Sequence, residues 1–71
     1  MQRRFEFVEG SSAKFWSVAV TGPNVVIRFG RLGADGQSQT KPFANEAAAQ
    51  QHADHLIRRK LAKGYRETAT V

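Results

Sequence analysis

The chain has 71 residues, no cysteine and a formal net charge of +5. A chain this short buries only about 60% of the surface that its unfolded form exposes, so residues 1–71 are expected to form one domain with one sheet packed against one helix. Without cysteine there is no disulfide or thiolate-metal staple. No apolar run approaches the roughly 18 residues of a membrane span, and no charged segment precedes an apolar one as in a signal peptide; a soluble, cytoplasmic chain or an excised module, with no membrane partner, is expected.

Arg3 to Val8 alternates, with Phe5 and Phe7 on one side and Arg4, Glu6 and Val8 on the other, the period-two pattern of a half-buried strand. Gly10-Ser11-Ser12 follows as a turn. Lys14 to Val20 reads as a second strand, with Phe15 and Ala19 opposed to Trp16, Val18 and Val20. Thr21-Gly22-Pro23-Asn24 closes it, a place where Pro23 does no harm to a ladder. In the third strand, Val25 to Phe29, one face carries Val25, Ile27 and Phe29 and the other Val26 and Arg28, so a position inside the sheet is expected. Gly30 to Gly36 is a turn with three glycines. The polar run Gln37 to Phe43 suits an edge strand, and Pro42 ends it.

Asn45 is a good helix N-cap and Glu46 suits the positive end of the helix dipole. At about 100° per residue, Ala49, Ala53, Leu56, Ile57 and the stem of Lys60 form one stripe that can lie on the sheet. Gly64, after a helix running to about Lys63, is the expected stop, and Glu67 to Val71 either adds a short strand or frays. The fold class is α+β: an antiparallel sheet of four or five strands with one C-terminal helix on one face.

The positive charge is uneven. Residues 1 to 57 carry six basic and five acidic side chains, whereas residues 58 to 71 carry Arg58, Arg59, Lys60, Lys63 and Arg66 against Glu67 alone. A polyanion is therefore the first partner to consider, since neutralised phosphates release counterions whatever the base sequence. Cations near a helix C-terminus are also favoured by the helix dipole, by about 0.3 to 1 kcal/mol each. On the helical wheel Arg58 points away from the apolar stripe while Lys60 and Lys63 flank it, which argues against a single basic face.

The stretch Ile27 to Gln37 holds Phe29 and Arg31 beside a glycine-shaped reversal. Taken with Lys14-Phe15-Trp16, Phe29-Gly30-Arg31-Leu32-Gly33, Gly36-Gln37, Phe43, Lys60 and Gly64-Tyr65, it makes nearly the whole chain resemble a WGR domain, a family named for its Trp-Gly-Arg motif. The resemblance implies an antiparallel sheet with one helix across it. WGR domains occur in DNA-dependent poly(ADP-ribose) polymerases, in bacterial regulator-like proteins and in short bacterial proteins. In the polymerases the motif tryptophan packs on the sugar of a terminal nucleotide at a DNA break, and the arginine and nearby basic residues contact phosphate or neighbouring domains. By that resemblance Phe29 stands at the tryptophan position and Arg31 at the arginine position. Phenylalanine keeps an aromatic face but is smaller and lacks the indole N–H.

The candidate nucleic-acid-binding residues are Phe29, Gly30, Arg31, Lys41, Arg59, Lys60 and Lys63. Each has a second reading: Phe29 as core, Lys41 as an edge-strand gatekeeper, Lys60 and Lys63 as dipole partners. Arg28, opposite Phe29 in the pleat, is expected to be solvated or paired with Glu6 or Glu9. Trp16 and Tyr65 are expected in the core. His52 and His55 lack a third ligand, so no metal is expected. The glycine turn has no Lys-Ser/Thr ending and leads into a strand, which excludes a P-loop. With no nucleophile, base and orienter together, and no polymerase catalytic domain, neither enzymatic activity nor a cofactor is expected.

Two functions follow. The first is a monomeric, non-enzymatic nucleic-acid-binding module for DNA ends or phosphate backbone. The second is a protein or interdomain interaction module using the same turn and the sheet face left uncovered by the helix.

Overall fold

The computed structural model describes the backbone of residues 2–70 and the side chains of residues 2–68. Five strands and one helix follow in the order β1 (Gln2–Glu9), β2 (Ser12–Thr21), β3 (Asn24–Arg31), β4 (Gln37–Pro42), α1 (Glu46–Ala62) and β5 (Arg66–Thr70). The strands form one sheet, ordered β4-β3-β2-β1-β5, and every pairing is antiparallel. The fold class is thus the α+β arrangement expected. Val71, the end of the expected last strand, lies outside the described residues.

Period-two alternation sorts the side chains onto two faces. Phe5, Trp16, Val18 and Val25 are buried on the face that meets α1, with Phe7, Val20, Ile27 and Phe29 packed around them. The helix supplies Ala49, Ala53 and Ile57, and it lies chiefly on β2 and β3. Small alanines bring the helix axis close to the sheet, and Phe5 and Val25 become fully buried. Truncating a buried phenylalanine of this kind costs about 3 to 5 kcal/mol.

Both ends of α1 are closed by local chemistry. The Asn45 side chain accepts the Ala48 amide at 2.8 Å, and Glu46 occupies the first turn. At the other end the Gly64 amide donates to Leu61 and the Tyr65 amide to Lys60, both at 3.1 Å. That is a Schellman motif, and it requires the left-handed backbone that Gly64 adopts at φ 104°. The motif sets Tyr65 directly beneath Lys60.

Two expectations are corrected. β3 does not end at Phe29; it continues through Gly30 and Arg31, because the Leu32 amide still reaches the Ala13 carbonyl at 3.1 Å. The face away from the helix is also not an open apolar surface. Phe15 lies there yet is only 3% exposed, because the residues after β3 fold back over it and the Arg4 guanidinium covers its ring at 4.4 Å. Beside it the face carries Ser17, Ala19, Thr21, Val26, Arg28 and Ser38, and on β1 the exposed Val8 stands with Arg4 and Glu6. β4 lies at the sheet edge with every residue exposed, as its polar composition implies.

Candidate nucleic-acid interface

The β2–β3 hairpin fixes the geometry. Its register places Trp16 opposite Phe29 and Lys14 opposite Arg31, all on the helix face. Like charges directly opposite in a ladder destabilise a sheet. Here two are held side by side at the open end of that face.

The reversal after β3 is a built structure. A Cβ on Gly36 would meet the Phe29 carbonyl oxygen and lie 2.7 Å from Phe15 Cζ, and one on Gly30 would lie 2.7 Å from Gly36 Cα. Backbone therefore packs on backbone at a spot where a side chain cannot fit. Arg28 is exposed, as the solvated reading expects, but its partner is neither Glu6 nor Glu9: Nε donates to the Asp35 carbonyl at 2.6 Å and clamps this loop. Phe15, Gly30, Gly36 and Arg28 together lock the far side of the strand end from which Phe29 and Arg31 project.

The end of the helix completes the site. Arg59, Lys63 and Lys60 fall within about 100° of arc on α1, so the expectation that the helix presents no basic face holds for Arg58 but not for these three. They close over the sheet beside Phe29 and Arg31. The result is a cavity of about 580 Å³ with Trp16, Ile27, Phe29, Leu56 and Tyr65 as its apolar floor and Lys14, Arg31, Arg59, Lys60 and Lys63 as its cations. Among the described residues, no acidic side chain contributes to its lining. Among the described residues, the ion pairs are Arg3 with Glu67 and Arg4 with Glu6, away from the cavity.

Lys60 registers this imbalance. Its ammonium sits 5.0 Å from the Tyr65 ring centre and 5.5 Å from that of Trp16. Burial first, then the charges of Lys63, Lys14 and Arg59, hold its pKa below the ordinary lysine value.

Six of the seven residues proposed from sequence, Phe29, Gly30, Arg31, Arg59, Lys60 and Lys63, therefore line one cavity. Lys41 does not; it extends over Phe43, 5.6 Å from the ring centre. Phe29 combines both of its readings, half-buried against the core and open on its cavity side. Trp16 and Tyr65 are core residues as expected, and their edges also reach the cavity. Lys14 was missed. The signal lay in the turn: counting outward from a two-residue reversal at Gly22-Pro23 puts Lys14 opposite Arg31. His52 stacks on Phe43 at 4.8 Å, and burial, followed by Lys41 and His55, lowers its pKa. Among the described residues, no group of three or more potential metal ligands gathers around either histidine.

The model of the WGR domain family matches residues 1–71. The chain belongs to the WGR domain family. This is a nucleic-acid-binding type of domain. The domain is 37% identical over 67 residues to the Escherichia coli (strain K12) protein YfeS, covering 94% of this chain and 28% of that protein. It is 40% identical over 67 residues to YehF of the same organism, covering 94% of this chain and 24% of YehF. The chain thus spans about a quarter of the length of these relatives. A crystal structure of a Bacteroides fragilis protein superposes with a TM-score of 0.95 at 45% identity, over 97% of this WGR domain and 20% of that chain. Among the described residues no helix is long and apolar enough to cross a membrane.

Proposed function

We propose that this WGR domain is a non-enzymatic DNA-binding module that engages phosphates with Arg31, Lys14 and the basic end of α1, and packs Phe29 on an exposed sugar or base at a duplex end. The observation that carries the reading is the convergence of five cations, from two strands and a helix, around an aromatic-floored cavity whose lining, among the described residues, contains no acidic side chain. Cations so arranged repel one another in the free protein; burial first, and then the charges of Lys63, Lys14 and Arg59, lower the Lys60 pKa, and phosphate relieves that repulsion. The internal duplex surface offers phosphates but no free ring face. A terminal nucleotide offers both, which fits the pairing of Phe29 with Arg31.

Titrating a labelled linear duplex and a closed circle of equal length, at two salt concentrations, tests the reading. Tighter binding of the linear form at both salts is expected. Equal binding of the two forms removes the end preference and leaves backbone attraction, and no binding of either at low salt overturns the proposal. A protein-docking role for the face opposite the helix is less well supported, since Phe15 is already covered there and its neighbours are largely polar.

A further inference from the structure

We infer that the cavity between α1 and the β2–β3 strand ends is a nucleotide site in its own right, one that takes a free nucleoside polyphosphate, with the base or sugar on Phe29 and the phosphate chain across Lys14, Arg31, Arg59, Lys60 and Lys63. The inference deepens the reading above, from which it takes the location of the site, but it does not require a nucleic-acid polymer. Three observations support it.

The first is size. A volume of about 580 Å³ falls in the range of about 300 to 1,000 Å³ typical of small-molecule sites, and it is bounded by the helix on one side and the sheet on the other. One nucleotide fits such a space, whether it is free or stands at the end of a duplex.

The second is charge. A single terminal phosphate ester carries about −1.5 to −2 at neutral pH, which leaves most of five clustered cations uncompensated. A chain of three phosphates brings roughly twice that charge within the span of one ligand. The cations are also spread as an extended ligand needs: Lys14 and Arg31 are cross-strand neighbours, and Arg59, Lys60 and Lys63 face them from the last turns of α1.

The third is the floor. Inorganic polyphosphate needs only cations, yet this cavity presents Phe29, the edges of Trp16 and Tyr65, and the aliphatic Ile27 and Leu56, with the Gln39 amide at the margin. Apolar and aromatic surface beneath a ring of cations suits a ligand that has a flat, weakly polar part and a highly charged part.

The protein carries one tryptophan, and it lines the cavity, so its emission reports on occupancy directly. ATP, inorganic tripolyphosphate and adenosine are titrated into the intact chain in moderate salt, followed by Trp16 fluorescence and by calorimetry. ATP is expected to bind about tenfold or more tightly than tripolyphosphate, the margin that stacking of one base provides, and adenosine is expected to bind far more weakly than either. Phe29→Leu keeps apolar bulk without a ring and should bring the ATP-to-tripolyphosphate ratio close to one while leaving tripolyphosphate affinity intact; Phe29→Trp should widen the ratio. Arg31→Ala should weaken both phosphate ligands together. Equal binding of ATP and tripolyphosphate by the unaltered chain overturns the inference, as does the absence of saturable ATP binding. The linear duplex is titrated alongside. Duplex binding without ATP binding refutes the free-nucleotide site and spares the DNA reading, and ATP binding without duplex binding does the reverse.

Discussion

At the residue scale the reversal after β3 shows most clearly how local backbone chemistry places a functional side chain. Gly36 and Gly33 both have positive φ, 78° and 91°, but only Gly36 is enclosed; nothing lies within 4 Å of a Cβ built on Gly33. Gly33→Ala should therefore lose only the backbone term, about 1 to 3 kcal/mol. Gly36→Ala adds a collision with Phe15 and the Phe29 carbonyl, and its midpoint in urea denaturation should fall well below that of Gly33→Ala. Lys60 gives a second test at this scale. Its folded pKa lies below the ordinary lysine value because burial and three neighbouring cations disfavour the charged form, and a bound polyanion favours that form again. Binding should therefore take up a proton in the window between the lowered pKa and the ordinary one, and phosphate-ligand affinity should fall as pH rises through it. Calorimetry in buffers of different ionisation enthalpy measures the uptake, which Lys60→Arg should abolish.

At the element scale α1 both covers the core and carries three of the site's cations, so its anchoring affects stability and binding alike. Asn45 lies one helix length from the basic end. Asn45→Ala removes the acceptor for the Ala48 amide and should lower unfolding free energy by about 0.5 to 2 kcal/mol, seen as a lower urea midpoint, with phosphate-ligand affinity nearly unchanged while the chain stays folded. The elements were also where the sequence was most readable. Alternation in β1 to β3 assigned each strand's faces, Asn45 and Gly64 marked both helix ends, and the polar composition of Gln37 to Pro42 marked the edge. Two things were not legible, because each depends on a long-range pairing. That Arg31 still belongs to β3 is decided by the Ala13 carbonyl, and that Phe15 is buried on the far face is decided by a loop which begins 17 residues later in the chain. That Arg58 points away from the site is legible in the helical wheel, and Arg59, Lys60 and Lys63 stand among the candidates the sequence offers; that these three gather over one cavity depends on how the helix end sits on the sheet.

At the scale of the whole molecule, the acids and the cavity cations are kept apart. Glu67 and Glu6 bind Arg3 and Arg4 on the β1 side of the sheet, Asp54 accepts from Gln50 at 3.0 Å, and Glu46 serves the helix start. A net charge of +5 thus acts through one cavity more than as a uniform field. If all five cations meet phosphates, the slope of log affinity against log salt for duplex DNA should approach about −4 to −5. Arg31→Ala should reduce its magnitude by about 0.9, and Lys41→Ala, which removes an equal charge outside the cavity, should leave it unchanged. Filter-binding or anisotropy series over several salt concentrations separate these outcomes.

The hairpin that sets Lys14 against Arg31 turns at Gly22-Pro23, seven residues from Arg31 at the nearer end of β3. Because successive residues of a strand face opposite sides, a single residue inserted or deleted in β2 between Lys14 and the turn would carry Lys14 to the face that α1 does not cover, whereas a change of two would restore its side while displacing it from Arg31. The site is in this sense stored as an alignment, and length changes in the first hairpin should disturb it as surely as substitutions at its cations. Lineages that keep the cavity are therefore expected to vary freely in sequence along β4 but hardly at all in the number of residues between Lys14 and Arg31.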